Sequence, residues 1–168
     1  MTGRPQPGEY APYAADDIAF VPGDDAIEAL RASARETVAL FGALPEERIV
    51  YASGKWTLKE VLGHLIDDER IFAYRALCVA RADTSPLPGF DEKAYVAATS
   101  FEARTFASLL RELTLVRQST IAFFESLTSE EWLRRGMVNG YEASVRGLAF
   151  HIAGHELHHL RVVRERYL

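Results

Sequence analysis

The chain of 168 residues holds one cysteine, Cys78, so no internal disulfide can close, which suits a reducing compartment. No run approaches the ~20 apolar residues of a membrane span. The first 24 residues are rich in Pro, Gly, Tyr and Asp and lack the apolar stretch of a signal peptide. These absences predict a cytoplasmic protein with no membrane partner. Lysine occurs only as Lys55, Lys59 and Lys93, the arginines are scattered, and the net charge is −5. A nucleic-acid groove needs clustered positive charge, so no nucleic-acid partner is expected. There is no phosphate-cradling glycine loop and no Ser-His-Asp grouping. Strand-like alternation is nowhere sustained. What is present is an ordinary globular balance, 48% hydrophobic and 26% charged. The length suits one domain, residues 1–168, with a real core.

Helical periodicity organises most of that length. Residues 1–23 read as an irregular arm that Tyr10, Tyr13, Ile18 and Phe20 could pin down. A first helix starts at Asp24 or Asp25, with Ile27, Leu30, Ala34, Val38 and Phe41 as its apolar stripe, and ends between Gly42 and Pro45. The second has the clearest start: Thr57 followed three positions later by Glu60 is a capping box, and Trp56 can staple onto Val61. It runs to about Ala82, before Pro86 and Pro88 break it and a longer connection passes through Phe90 and Tyr95. Thr99 and Glu102 repeat the capping pattern for a third helix carrying Phe106, Leu109, Leu110, Leu113, Val116 and Phe123. Thr128 and Glu131 mark a short extra turn ending near Gly136, and a last helix starts around Ser144 and reaches the C-terminus. Four long amphipathic helices without strands predict an all-α, antiparallel four-helix bundle. The long middle connection leaves the packing order open.

The five histidines lie in two places only: His64 on the second helix, and His151, His155, His158 and His159 on the last. A four-residue helical step turns by about 40°, so His155 and His159 leave one face a turn apart, a chelating pair for a divalent metal. His64 sits among Val61 and Leu65 on an apolar face, where an imidazole needs partners for both nitrogens. A metal plus a carboxylate or carbonyl behind the ring supplies them. The expected ligands are therefore His64, His155 and His159, with His151 and His158 in reserve. Three histidines would leave positions on the ion for water or substrate, unlike a closed structural zinc site. Without a metal, the same residues would be satisfied or exposed helix histidines.

Other residues carry weaker signals. Asp68, one turn after His64, and Asp67 beside it could orient an imidazole, accept a proton or stand solvated. Arg75, three turns on from His64 and nearly in line with it, could hold an anionic substrate, although an ion pair inside the bundle is the more ordinary role for it. Trp56 reads first as a helix-entry staple. Cys78 lies roughly 20 Å from His64 by helical rise, too far to share an ion, and reads as a core thiol.

Three segments, YASGKWTLKEVLGHLIDDERIFAYRAL, LPGFDEKAYV and HIAGHELHHLRVVRERY, make the sequence resemble the DinB-like (damage-inducible/YfiT-type) metal-binding four-helix bundles over nearly its whole length. The resemblance implies an up-down-down-up bundle, often a homodimer, with metal ligands at His64, His155 and His159. Relatives include S-transferases and an isomerase that use mycothiol, bacillithiol or glutathione, and others described as metal-dependent hydrolases. The expectation for this chain is thus a zinc- or nickel-dependent transferase joining a low-molecular-weight thiol to an electrophilic small molecule. A hydrolase and a non-catalytic metal-binding stress-response protein are the alternatives.

Overall fold

A computed structural model describes residues 3–47 and 49–168. In chain order its helices are α1 (Ala15–Phe20), α2 (Ala26–Gly42), α3 (Leu58–Ala80), α4 (Glu92–Ala97), α5 (Phe106–Glu125), α6 (Ser129–Leu133) and α7 (Val145–Arg166). The bundle consists of α2, α3, α5 and α7. Its packed neighbours are α2 with α5 and α7, and α3 with α5 and α7, so the consecutive helices α2 and α3 lie on a diagonal.

The direction of each helix follows from two core clusters. One end gathers Leu30 of α2, Val79 of α3, Phe124 of α5 and Leu148 of α7. The other gathers Phe41, Leu62, Leu109 and Leu160 of the same four helices. Hence α2 and α7 run one way and α3 and α5 the other, an up-down-down-up order. The antiparallel expectation holds for α3 with α7 and for α2 with α5. The neighbours α3 and α5 are parallel, which is why residues 81–105 must travel back along the bundle.

Most helix starts follow their local chemistry. The Thr57 hydroxyl accepts from Glu60 N and the Glu60 carboxylate accepts from Thr57 N, closing the expected box on α3. Asp25 caps α2, Thr128 caps α6 and Ser144 caps α7. The third expectation fails: α5 begins after Thr105, whose hydroxyl accepts from Ser108 N. Thr99 instead donates to Tyr95 O as α4 ends, and the Glu102 carboxylate is taken by the Thr57 hydroxyl at the start of α3. A tertiary partner has outbid a local one.

Two further expectations need correction. Residues Arg135–Val138 (β1) and Tyr141–Ser144 (β2) form an antiparallel hairpin. Its turn is Asn139-Gly140, both at positive φ (51° and 80°), the twist that two-residue hairpins require. Four-residue strands are too short to show alternation, but the Asn-Gly pair was a legible signal. The N-terminal arm is also not irregular throughout, since it contains a 3-10 turn at Pro12–Ala14 and then α1. It docks closely on α7: a Cβ at Gly154 would lie 2.2 Å from Asp17 O, so only glycine lets α1 approach there.

Glu9 fastens the arm further along. Its carboxylate accepts from Arg146 Nε (2.9 Å) and Nη2 (2.7 Å), and its carbonyl accepts from Ser144 N (2.9 Å). Burial raises the Glu9 carboxyl, but Arg146, Gln6 N–H and Ser144 together outweigh it and hold it below its ordinary value. A depressed carboxylate favours the docked arm above the ordinary range, and that contribution fades as pH falls through it toward the lower folded value. Amide exchange at Ser144 is therefore expected to accelerate, relative to the bundle core, as pH drops below about 4.5. Glu9→Gln should exchange faster at pH 7 and lose that pH dependence; an unchanged profile in the variant would refute the assignment.

The stripe of α2 is rotated from the apolar pattern. Val38 is 42% exposed, whereas Ser33 and Thr37 are buried beside Leu30 and Phe41. The cause is Arg117 of α5. Its guanidinium donates to both carboxylate oxygens of Glu69 on α3 (2.8 and 2.9 Å), to Glu156 on α7 (2.8 Å), and to Ser33 Oγ and Leu30 O on α2. The Thr37 hydroxyl donates to the other oxygen of Glu156 (2.6 Å). One buried cation thus ties all four bundle helices together.

Candidate metal centre

His64 stands in the second turn of α3, and His155 and His159 stand on successive turns of α7 toward its C-terminal half. Because α3 and α7 are antiparallel neighbours, these segments face each other. His155 Nε2 lies 3.2 Å from His64 Nε2 and 3.2 Å from His159 Nε2. Each ring offers a nitrogen within 4.8 Å of the others', and these three form the one such histidine or carboxylate group among the described residues. Nitrogens bound about 2.0–2.1 Å from a tetrahedral zinc sit roughly 3.3 Å apart, so the spacing suits a shared ion. A single Nε2 of His155 cannot bond two rings at full strength, whereas a cation would accept all three lone pairs.

The surroundings prepare these nitrogens. His155 Nδ1 lies 3.2 Å from Asp68 Oδ2, which fixes the ring and turns Nε2 toward the other two. Burial, with His155 beside it, pushes His64 down to about 4, and burial with its histidine neighbours holds His159 well below its ordinary value. Both are therefore neutral near pH 7, the form that ligates. For His155 burial works downward too, but the charge and hydrogen bond of Asp68 outweigh it and raise the imidazole. Burial alone would raise Asp68; His155, His151 and His64 reverse that and keep it ionised.

The remaining candidates separate. His151 stays outside the trio, its ring tilted against that of Phe72 with 4.0 Å between centres, and its Nδ1 has no hydrogen-bond partner among the described residues. His158 pairs with Asp17, Nδ1 to Oδ1 at 3.2 Å. Asp67 is 4.0 Å from Arg70. Cys78 is buried in the core cluster at the far end. Trp56 is more than a staple, for its ring lies 4.8 Å from that of His64 and is stacked 6.5 Å from that of His159. Arg75 is buried, but no carboxylate pairs with it among the described residues; Nη2 donates to Pro88 O (2.6 Å).

Two clefts reach the trio. One, of about 480 Å³, has Trp56, Tyr51, Tyr167 and Lys55 in its wall and ends at His159. The other, of about 230 Å³, ends at His155 and Asp68 and includes Tyr13, Arg75 and Phe90. Glu92 of α4 belongs to both walls. Sequence reasoning missed Glu92, which sits in the break between the second and third helices where periodicity says nothing. Among the described residues, no helix is long and apolar enough to cross a membrane.

Comparison with curated proteins finds no match. Among solved structures, YfiT from Bacillus subtilis superposes with a TM-score of 0.72 at 18% sequence identity, over 96% of this chain and 89% of that one. YfiT is described as a probable metal-dependent hydrolase with an unusual four-helix bundle topology. At that identity the likeness speaks for the fold. The family model of the DinB superfamily matches residues 29–163, which include nearly all of the four bundle helices and all three clustered histidines, and the chain belongs to that superfamily.

Proposed function

We propose that the chain is a divalent-metal-dependent enzyme for small molecules, with His64, His155 and His159 as ligands for zinc or nickel, and that it transfers a low-molecular-weight thiol to an electrophile. The observation that carries the transferase reading is the pair of separate clefts meeting at the histidines. Two organic reactants need two approaches, while hydrolysis needs one approach and water. When bound, the ion supplies Lewis acidity that lowers the pKa of a thiol or water at its open positions. The chain does the rest. Asp68 holds His155 in register, burial keeps His64 and His159 unprotonated, and Trp56 packs against their rings. Glu92, on the wall common to both clefts, would take up the proton lost by the thiol. Sulfur then forms the new bond to carbon as the leaving group departs with its electron pair.

Hydrolysis is the second reading, favoured by the description of YfiT and by the same Glu92, which would serve water equally well. Metal-loaded protein should be offered bacillithiol, mycothiol and glutathione, each with a halogenated arene, and separately a panel of esters and amides. Thiol conjugation that needs the metal is the expected result. Turnover of an ester or amide without thiol would move the assignment to hydrolase, and metal uptake without turnover in either arm would refute both.

A further inference from the structure

Arg75 is an anomaly in the energetics of this bundle. It is 3% exposed, yet unlike Arg117 it has no carboxylate partner among the described residues. Its guanidinium lies 4.7 Å from the ring centre of Phe72 and 5.6 Å from that of Phe90, and among the described residues only Pro88 O accepts a hydrogen bond from it. A guanidinium has five N–H donors in a planar fork that matches a carboxylate. Buried charges are normally paired; Asp68 acts on this one only at longer range, so a guanidinium bordering a cleft without a hydrogen-bonded carboxylate points to a partner that arrives from outside. That cleft is the one ending at His155, and its wall also contains His151, whose Nδ1 is unpartnered.

We infer that Arg75 binds the carboxylate of a compact substrate whose reactive group reaches toward His155. The inference rests on the histidine trio being the reaction centre, as proposed above. Charge selects among anions: Asp17, Asp68 and Glu92 border the same cleft, so even with a divalent ion on the imidazoles it is close to neutral. A single negative charge is accommodated and a phosphate dianion is repelled. Size selects too, because about 230 Å³ is below the ~300–1,000 Å³ of pockets for drug-sized ligands. Arg75 and His155 border the same small cleft, so a short carbon chain separates the carboxylate from the reactive group.

The test uses butyrate, butyramide and inorganic phosphate as probes, with metal content per chain measured on every sample. Butyrate is expected to shift the Nε–H resonance of Arg75 in the metal-loaded wild-type protein, and to do so more weakly in the metal-free protein, whose cleft is net negative. Butyramide and phosphate should bind about tenfold or more weakly, as should butyrate to Arg75→Gln, with metal content unchanged. Equal binding of butyrate and butyramide overturns the subsite. Butyrate binding that vanishes with the metal but survives in Arg75→Gln also overturns it, because the carboxylate would then sit on the ion. Butyrate binding that depends on Arg75 in a protein that takes up no metal supports the subsite while refuting the metal reading. The wild-type resonance shift stands as a readout even if the variant does not fold.

Discussion

Replacing Arg117 with alanine is expected to lower the free energy of unfolding by about 3–5 kcal/mol, the scale for removing one partner of a buried ion pair. The loss is large because Arg117 is the only cation among the described residues that pairs with Glu69 and Glu156, each of which it meets at 2.8 Å. Without it two carboxylates remain buried side by side, and burial already pushes Glu69 upward even with its partner present. Ser33 and Leu30 of α2 would lose their donor as well. A triple variant, Arg117→Met with Glu69→Leu and Glu156→Met, should recover most of the loss, because well-packed apolar groups replace buried ion clusters at little cost. Chemical denaturation followed by circular dichroism measures both. A cost below about 1 kcal/mol for Arg117→Ala would mean that the network does not hold the bundle as described.

The second large effect concerns the histidines. His64→Ala removes one of three proposed ligands and the only one from α3, so metal affinity is expected to fall by well over the 10–100-fold that loss of a supporting group costs. Asp68→Asn tests that supporting role. It preserves shape but replaces the carboxylate facing His155 Nδ1 at 3.2 Å, and affinity should drop by roughly 10–100-fold. His151→Ala should leave affinity nearly unchanged, since His151 lies outside the trio. Competition against a chromophoric chelator ranks the four proteins. An order in which Asp68→Asn hurts more than His64→Ala would remove His64 from the ligand set.

Much of this was legible in the chain, and the failures have physical causes. The capping box at Thr57, the caps at Asp25 and Ser144 and the i,i+4 histidines depend on neighbours close in sequence, and the structure realises them. The meeting of His64 with His155 followed from both lying on bundle helices, though helix directions came from the family resemblance rather than from periodicity. What stayed hidden depends on partners remote in sequence. Glu102 looked like a cap for its own helix but serves Thr57, 45 positions away. Ser33 and Thr37 lie outside the apolar stripe and are buried because Arg117 and Glu156, remote in sequence, bond to them. Arg75 looked like half of an internal ion pair whose other half no described residue supplies within ion-pair distance.

The central claim is that three imidazoles from two helices hold one cation and leave part of its sphere open. X-ray absorption at the metal edge of protein carrying one equivalent of zinc or nickel tests it most directly. The account predicts scattering from three imidazoles with the remaining shell made of water-like oxygen, and a drop to two imidazoles or loss of the ion in His64→Ala. A first shell with fewer than three imidazoles in the wild-type protein, or a spectrum that His64→Ala leaves unaltered, would contradict it.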